Sequence, residues 1–359
     1  MVEARRIEGA GGLHLADAAA CFVAADVGGT NARIGLVQAL GDGRVEVLAY
    51  RRYPCADFPS LTAILVDFVA RHLADGGSRE AVERMAIASA GVVLDGEVIN
   101  SNLRWRISLQ DLTDTLGLRE LHVINDFAAA AHGTSRLAPE ESRLLTPGVS
   151  AVEPGPALVV GPGTGLGAAI CIPHGGGVVV LPTEAGMTAF APGTEREIAI
   201  LRWMQQRSRH VCTEQLVSGP GLVNLYTAIC ELEGVPAQWR APAQISAGAR
   251  AGDTHAREAV QAFCALLGSV IGDLAVIASA RTVYVAGGIV PQLVDFLPHS
   301  DFAARLVDKG AMRAVLERVP VRLVENEKLG VLGAANWYLQ HLQEKQARGE
   351  ARLQPAPAA

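Results

Sequence analysis

One pattern occurs twice in this chain: an apolar run ends in a glycine-rich turn and is followed by two more strand-like runs. The first copy is F-V-A-A-D-V-G-G-T-N-A-R at Phe22 to Arg33, continued by Ile34 to Gln38 and Val45 to Tyr53. The second is Ala157 to Val160, which runs into G-P-G-T-G-L-G at Gly161 to Gly167 and on to Ala168–Ile172 and Val178–Leu181. Short apolar runs bounded by glycine read as buried strands. At 359 residues the chain is long enough for two cores. The repetition therefore predicts an α/β fold made of a duplicated mixed-sheet unit, its halves facing each other across a central cleft.

The remaining segments fit around these strands. Ser60 to Ala74 has apolar residues at Leu61, Ile64, Leu65, Phe68 and Val69, the spacing of an amphipathic helix. Met85–Ser89 and Leu121–Asn125 read as strands, Ser108–Leu116 as a helix capped by Ser108, and a further helix starts at Phe127. Later helices are expected at Thr194–Gln206, Gly221–Glu231, Ala256–Ala280 and Gly330–Gln343, with strands at Thr282–Ala286 and Val321–Val324. The expected division is an N-terminal extension at 1–20, a smaller α/β domain at 21–133 plus 330–343, a larger α/β domain at 134–329, and a disordered tail at 344–359.

Composition narrows the partners. Hydrophobic residues make up 50%, charged residues 19%, and the formal charge is −6. No basic stripe offers a footprint for nucleic acid or a membrane surface, and no apolar run is read as long enough to span a bilayer. Glu8, His14 and Asp17 interrupt what a signal peptide would need to be apolar. The six cysteines lie far apart, without a metal-binding spacing. A cytoplasmic protein that acts on a small metabolite is expected.

The glycine turns carry the chemistry. Gly28 and Gly29 have no Cβ, so their N–H groups can approach an anion, and Thr30 and Asn31 add side-chain donors. Asp26 would repel a bare phosphate but suits one bridged by Mg²⁺. Gly161, Gly163, Thr164 and Gly165 lie at the matching place in the second half, so a polyphosphate held by both turns explains both. Gly287-Gly288 ends the strand V-Y-V-A and reads either as a platform under a purine ring or as a packing turn. There is no G-x-x-x-x-G-K-[ST], which excludes a lysine-bearing P-loop. Asp126, in V-I-N-D-F, reads either as a general base that takes the proton of an alcohol in phosphoryl transfer or as the cap of the helix that follows. Asn125, Glu184, Glu214, Ser89 and Asn102 supply the amides, acids and hydroxyl that a polyol needs.

In family order, A-D-V-G-G-T-N-A-R, V-I-N-D-F, G-P-G-T-G-L-G, V-S-G-P-G-L-V-N-L-Y and V-A-G-G-I-V-P resemble the bacterial glucokinases of the hexokinase–actin-like ATPase superfamily, in the group without a cysteine-rich zinc motif. The resemblance covers about residues 21 to 343. It implies a two-domain actin-like ATPase (ribonuclease H-like) fold and a homodimer that phosphorylates the 6-hydroxyl of glucose with ATP and Mg²⁺. By that resemblance Asp26 holds Mg²⁺ through water, Gly28 to Thr30 and Gly163 to Gly165 bind phosphates, and Gly287 and Gly288 carry the adenosine. Asp126 is the catalytic base, with Asn125, Glu184 and Glu214 as sugar ligands.

The chain departs from the family at two places. Where the family's sugar loop reads E-G-G-H, this chain has Glu184-Ala185-Gly186-Met187, and Val92 replaces a common proline. A thioether cannot donate a hydrogen bond, so a sugar hydroxyl at Met187 loses a partner worth about 1 kcal/mol. Two other readings follow: a kinase for a different or broader hexose set, and a weakly active sugar- or nucleotide-sensing regulator.

Overall fold

A computed structural model of the protein describes residues 7–8, 21–40, 43–99, 103–148 and 155–353. It divides into two compact units, Met1–Arg136 with Glu327–Ala359, and Leu137–Asn326.

The first unit contains β1 (Ile7–Glu8), β2 (Cys21–Val27), β3 (Asn31–Ala39), β4 (Val45–Pro54), α1 (Leu61–Ala74), β5 (Arg84–Ser89), β6 (Val92–Leu94), β7 (Glu97–Ile99), β8 (Ile107–Ser108), α2 (Leu109–Leu116), β9 (Glu120–Asn125) and α3 (Asp126–Thr134). Its described residues form a six-stranded sheet in the order β1-β9-β5-β2-β3-β4, with β6, β7 and β8 in a small separate sheet. β2 is apolar almost throughout because it is central and covered on both faces. α1 starts where Ser60 Oγ accepts the Ala63 N–H, and it buries Leu61, Ile64, Leu65, Phe68 and Val69. α2 is capped by Ser108 and ends at Gly117, whose φ of 61° is left-handed.

The second unit contains β10 (Arg143–Thr146), β11 (Ala157–Pro162), β12 (Leu166–His174), β13 (Gly177–Thr183), α4 (Glu195–Gln205), α5 (Gly219–Leu232), α6 (Pro242–Arg250), α7 (Thr254–Ala278), β14 (Thr282–Val285), α8 (Val290–Leu293), α9 (Phe302–Val307), α10 (Arg313–Leu316) and β15 (Val321–Leu323). Its sheet runs β10-β15-β14-β11-β12-β13. Strand for strand this repeats the first sheet: two antiparallel pairs follow the leading strand, two parallel neighbours lie on its other side, and an antiparallel strand closes the far edge. The duplication expected from the glycine turns extends to the whole sheet.

Three expectations need correction. The tail at 344–359 was expected to be disordered, but α11 (Leu329–Leu353), which returns the chain to the first unit, continues through Leu353. Its Q-E-K-Q-A-R stretch consists of strong helix formers, and the first proline comes only at Pro355; residues 354–359 lie outside the described ones. Ile7–Glu8, expected to be plain extension, pairs antiparallel with Leu121 and Glu120. The rest of 1–20 lies outside the described residues. Finally, α7 is long and apolar enough by composition to cross a membrane, contrary to the sequence reading, but more than half of its apolar window is buried in the second unit.

Candidate active site

In the first unit, parallel pairing sets three strand ends side by side: Val27 lies opposite Ser89, and Ser89 opposite Asn125. The carboxyl ends of parallel strands are where α/β sheets bind ligands. Asp26, Ser89, Asn125 and Asp126 therefore share one edge.

Asp26 lies directly across the hairpin from Arg33, and Arg33 Nη1 donates to Asp26 Oδ2 at 3.1 Å. The two side chains are only 28% and 18% exposed, so the pair is screened far less than a surface pair. Burial pushes the Asp26 carboxyl above its ordinary range, and the charge and hydrogen bond of Arg33 oppose that rise. The start of α11 closes against the same carboxylate: a Cβ on Gly330 would come within 2.5 Å of Asp26 Cγ. Arg33 was not singled out from the sequence, although the turn length alone would have placed it opposite Asp26.

The turn itself differs from expectation in one respect. The Gly28 N–H is already spent, donating to Asn31 O at 3.0 Å. The N–H groups of Gly29 and Thr30 have no backbone partner among the described residues and are the donors that remain. Asn31 Oδ1 accepts from Arg52 Nε at 3.0 Å. Thr30 is exposed, and its carbonyl accepts the Cys55 N–H at 2.9 Å.

Asn125 is the cap of α3: its Oδ1 accepts the N–H groups of Phe127 and Ala128, each at 3.0 Å. The capping role considered for Asp126 thus belongs to its neighbour. Asp126 is the first residue of the helix, with Oδ1 accepting the Phe127 N–H at 2.9 Å, a position where the helix dipole favours a carboxylate. Ser89 is buried, and its hydroxyl lies within hydrogen-bonding reach of Ala90 O at 3.1 Å and Val27 O at 3.4 Å, so it ties strand ends together. Asn102 lies outside the described residues.

In the second unit, Gly161 pairs with Gly167, and the loop between them is folded on itself, Gly163 N–H donating to Gly165 O at 2.7 Å. The first N–H of α5, on Gly219, holds the Gly163 carbonyl at 2.7 Å. The N–H groups of Thr164 and Gly165 have no backbone partner among the described residues. Glu214 Oε2 accepts the Leu166 N–H at 2.7 Å, and its carboxylate lies so close over Gly165 that a Cβ there would overlap it. Gly287 and Gly288 end β14 beside this loop. Gly287 has a φ of +99°, and a Cβ on it would meet Pro162 O at 2.6 Å, whereas nothing lies within 4 Å of a Cβ on Gly288.

Glu184 is exposed and precedes a short 3₁₀ turn, Ala185–Met187. The segment after it is laced to the one that carries Glu214. Thr213 N–H donates to Thr188 O at 2.8 Å, Phe190 N–H to Val211 O at 3.0 Å, and the hydroxyls of Thr188 and Thr213 are 3.2 Å apart. Met187 is 46% exposed. Its carbonyl hydrogen-bonds His210 Nε2 at 3.0 Å, so an imidazole missed in the sequence does lie at this turn, on its backbone side.

Among the described residues no group of three or more His, Cys, Asp or Glu could hold a metal. A Mg²⁺ that keeps its waters and takes phosphate oxygens needs only one or two carboxylates. Asp26, a hard oxygen donor at the root of a turn with two available N–H groups, fits that need.

Comparison with known proteins decides the family, because a family model described as glucokinase matches residues 23–341. The chain belongs to the glucokinase family. It is accordingly an enzyme of sugar phosphorylation. It is 44% identical over 323 residues to a glucokinase-like protein of Xylella fastidiosa, which covers 89% of this chain and 94% of that one. It is 40% identical to a glucokinase of Chromobacterium violaceum, over 93% of this chain and 92% of that one. A crystal structure of glucokinase from an Antarctic psychrotroph superposes with a TM-score of 0.76 at 31% identity, covering 89% of this chain and 99% of that one. The duplicated sheet is thus the actin-like ATPase fold of the glucokinases.

Proposed function

We propose that the protein transfers the γ-phosphoryl group of ATP to the 6-hydroxyl of glucose, giving glucose 6-phosphate and ADP, with Asp126 as the general base. The observation that carries this reading is the Asn125–Asp126 pair. Capping fixes Asn125 through its Oδ1, which leaves Nδ2 as a donor without a partner among the described residues, next to the Asp126 carboxylate as an acceptor. A sugar hydroxyl both donates and accepts, so an adjacent donor and acceptor match it. Phosphoryl transfer asks little more of the protein than this acceptor for the alcohol proton, alignment of the two substrates, and neutralisation of the phosphates.

Asp126 takes the proton as the hydroxyl oxygen attacks the γ-phosphorus and ADP leaves. Asn125, Glu184 and Glu214 hold the sugar, and Ser89 ties the end of β5 to the end of β2. The N–H groups of Gly29, Thr30, Thr164 and Gly165 hold phosphate oxygens. Asp26 would hold Mg²⁺ through water, and the ion, when bound, neutralises charge on the transferring group. Gly287 and Gly288 carry the adenosine. The family resemblance extends to a homodimer, which sedimentation of the purified protein tests.

Met187 favours a second reading, a kinase with a different or broader hexose range, because an exposed thioether offers no hydrogen to a hydroxyl. A coupled assay of glucose 6-phosphate with purified protein and Mg·ATP separates the two. ATP-dependent product from glucose is expected. Binding of ATP without product from glucose would overturn the proposal, and product from other hexoses alone would move it to the second reading.

A further inference from the structure

The turn at Gly287-Gly288 is held from its far side by a clamp that joins α6 to α8. Arg250, the last residue of α6, forks onto Asp295, with Nε to Oδ2 at 2.9 Å and Nη2 to Oδ1 at 2.7 Å. Nη2 also donates to the carbonyl of Gln292, and the guanidinium carbon lies 5.2 Å from the Phe296 ring centroid. Gln292 passes the connection on, its Nε2 donating to Gly288 O at 2.9 Å. α8 has only four residues and no side-chain cap, so it does not hold itself. The turn above it touches β11 at Pro162 on one side and is open at Gly288 on the other.

We propose that Arg250 is a positioning residue for the nucleotide: through Asp295 and Gln292 it fixes the peptide of Gly288, and so sets the affinity for the adenosine part of ATP. The inference rests on the reading of Gly287-Gly288 as the adenosine platform. A planar fork suits this arrangement, since one guanidinium meets both carboxylate oxygens and the Gln292 carbonyl from two nitrogens held at fixed angles, which the single nitrogen of a lysine does not reproduce. Arg250 and Asp295 are 44% and 51% exposed, and ion pairs that open to water add little to global stability. The clamp therefore acts locally, and its loss is read in binding before it is read in melting.

Calorimetric titration of ATP into the full chain tests this without need of turnover. Arg250→Ala and Gln292→Ala are each expected to raise the ATP Kd about fivefold to tenfold, the ratio that loss of one net hydrogen bond gives. Tm should change little, and glucose KM and kcat should stay within about twofold. The double variant should be no weaker than the weaker single one, because both break the same chain of contacts. An ATP Kd for Arg250→Ala within about twofold of wild type, additive losses in the double variant, or a glucose KM that rises as much as the ATP Kd would each overturn the proposal. A wild type that binds ATP but makes no glucose 6-phosphate would defeat the kinase reading and leave the clamp to be judged on Kd. A wild type that binds no ATP would defeat both.

Discussion

Between β2 and β3 the glycine turn is held by backbone: Gly28 bonds Asn31, and Thr30 bonds Cys55. A Cβ on Gly28 would meet only Asn31 O, at an ordinary 3.6 Å. Between β11 and β12 the turn is held by its surroundings. α5 grips Gly163, and the Glu214 carboxylate fills the space over Gly165. In the first unit the glycine turn and the acid beside it are separable parts, so Asp26 answers to Arg33 rather than to the glycines. In the second unit the glycine turn and Glu214 are joined directly, by the hydrogen bond from Leu166 N–H to Glu214 Oε2.

The largest effect is expected from acid, at His132 in the first unit. His132, on the helix that begins at Asp126, is buried, and burial lowers its pKa to about 4. Its neutral form is favoured in the folded state, so the contribution is fully present above the ordinary histidine value and is lost as pH falls from about 6.5 towards 4. The loss is on the order of 3 kcal/mol. Denaturant titrations across this range should show it, and His132→Gln should flatten the dependence. A wild-type profile flat over the same range would contradict it.

Gly165→Ala should cost about 1 kcal/mol, since the new methyl group pushes the end of the flexible Glu214 side chain off the Leu166 N–H, and glucose KM should rise at least tenfold along with ATP KM. A rise in ATP KM alone would show that the two functions of the second turn are separable after all. Asp26→Asn should raise the Mg²⁺ concentration for half-maximal rate about tenfold and leave glucose KM unchanged. Met187→His should lower glucose KM about fivefold if the thioether faces the sugar, the worth of one hydrogen bond. An unchanged KM would direct attention to His210, which hydrogen-bonds the Met187 carbonyl. Gly28→Ala should be mildest in stability, within about 0.5 kcal/mol, because the site is open. A large drop in Tm would break the contrast between the turns.

Most strands were legible in the sequence because they are short apolar runs punctuated by glycine, but β10 was not, and turn length gives no sign of the shift in β3–β4 register at Leu36 and Val37. The edge pairing of Ile7–Glu8 was not, since two residues carry no period. α6 escaped because P-A-Q-I-S-A-G-A-R has few large apolar residues to mark a face. In the candidate site, the positions of Asp26, Asn125 and Asp126 were readable at strand ends. The division of labour between the last two was not, because only geometry shows that Asn125 makes the cap. The joining of Glu214 to Leu166, and of His210 to Met187, depends on contacts between segments 48 and 23 residues apart, which local pattern cannot report.

The most direct test of the account is the rate of glucose 6-phosphate formation by Asp126→Asn, with ATP binding measured on the same sample. The kcat is expected to fall by about 10² to 10⁴ while the ATP Kd stays within about twofold. A variant that keeps kcat within about tenfold of wild type would contradict the role of Asp126 as the base.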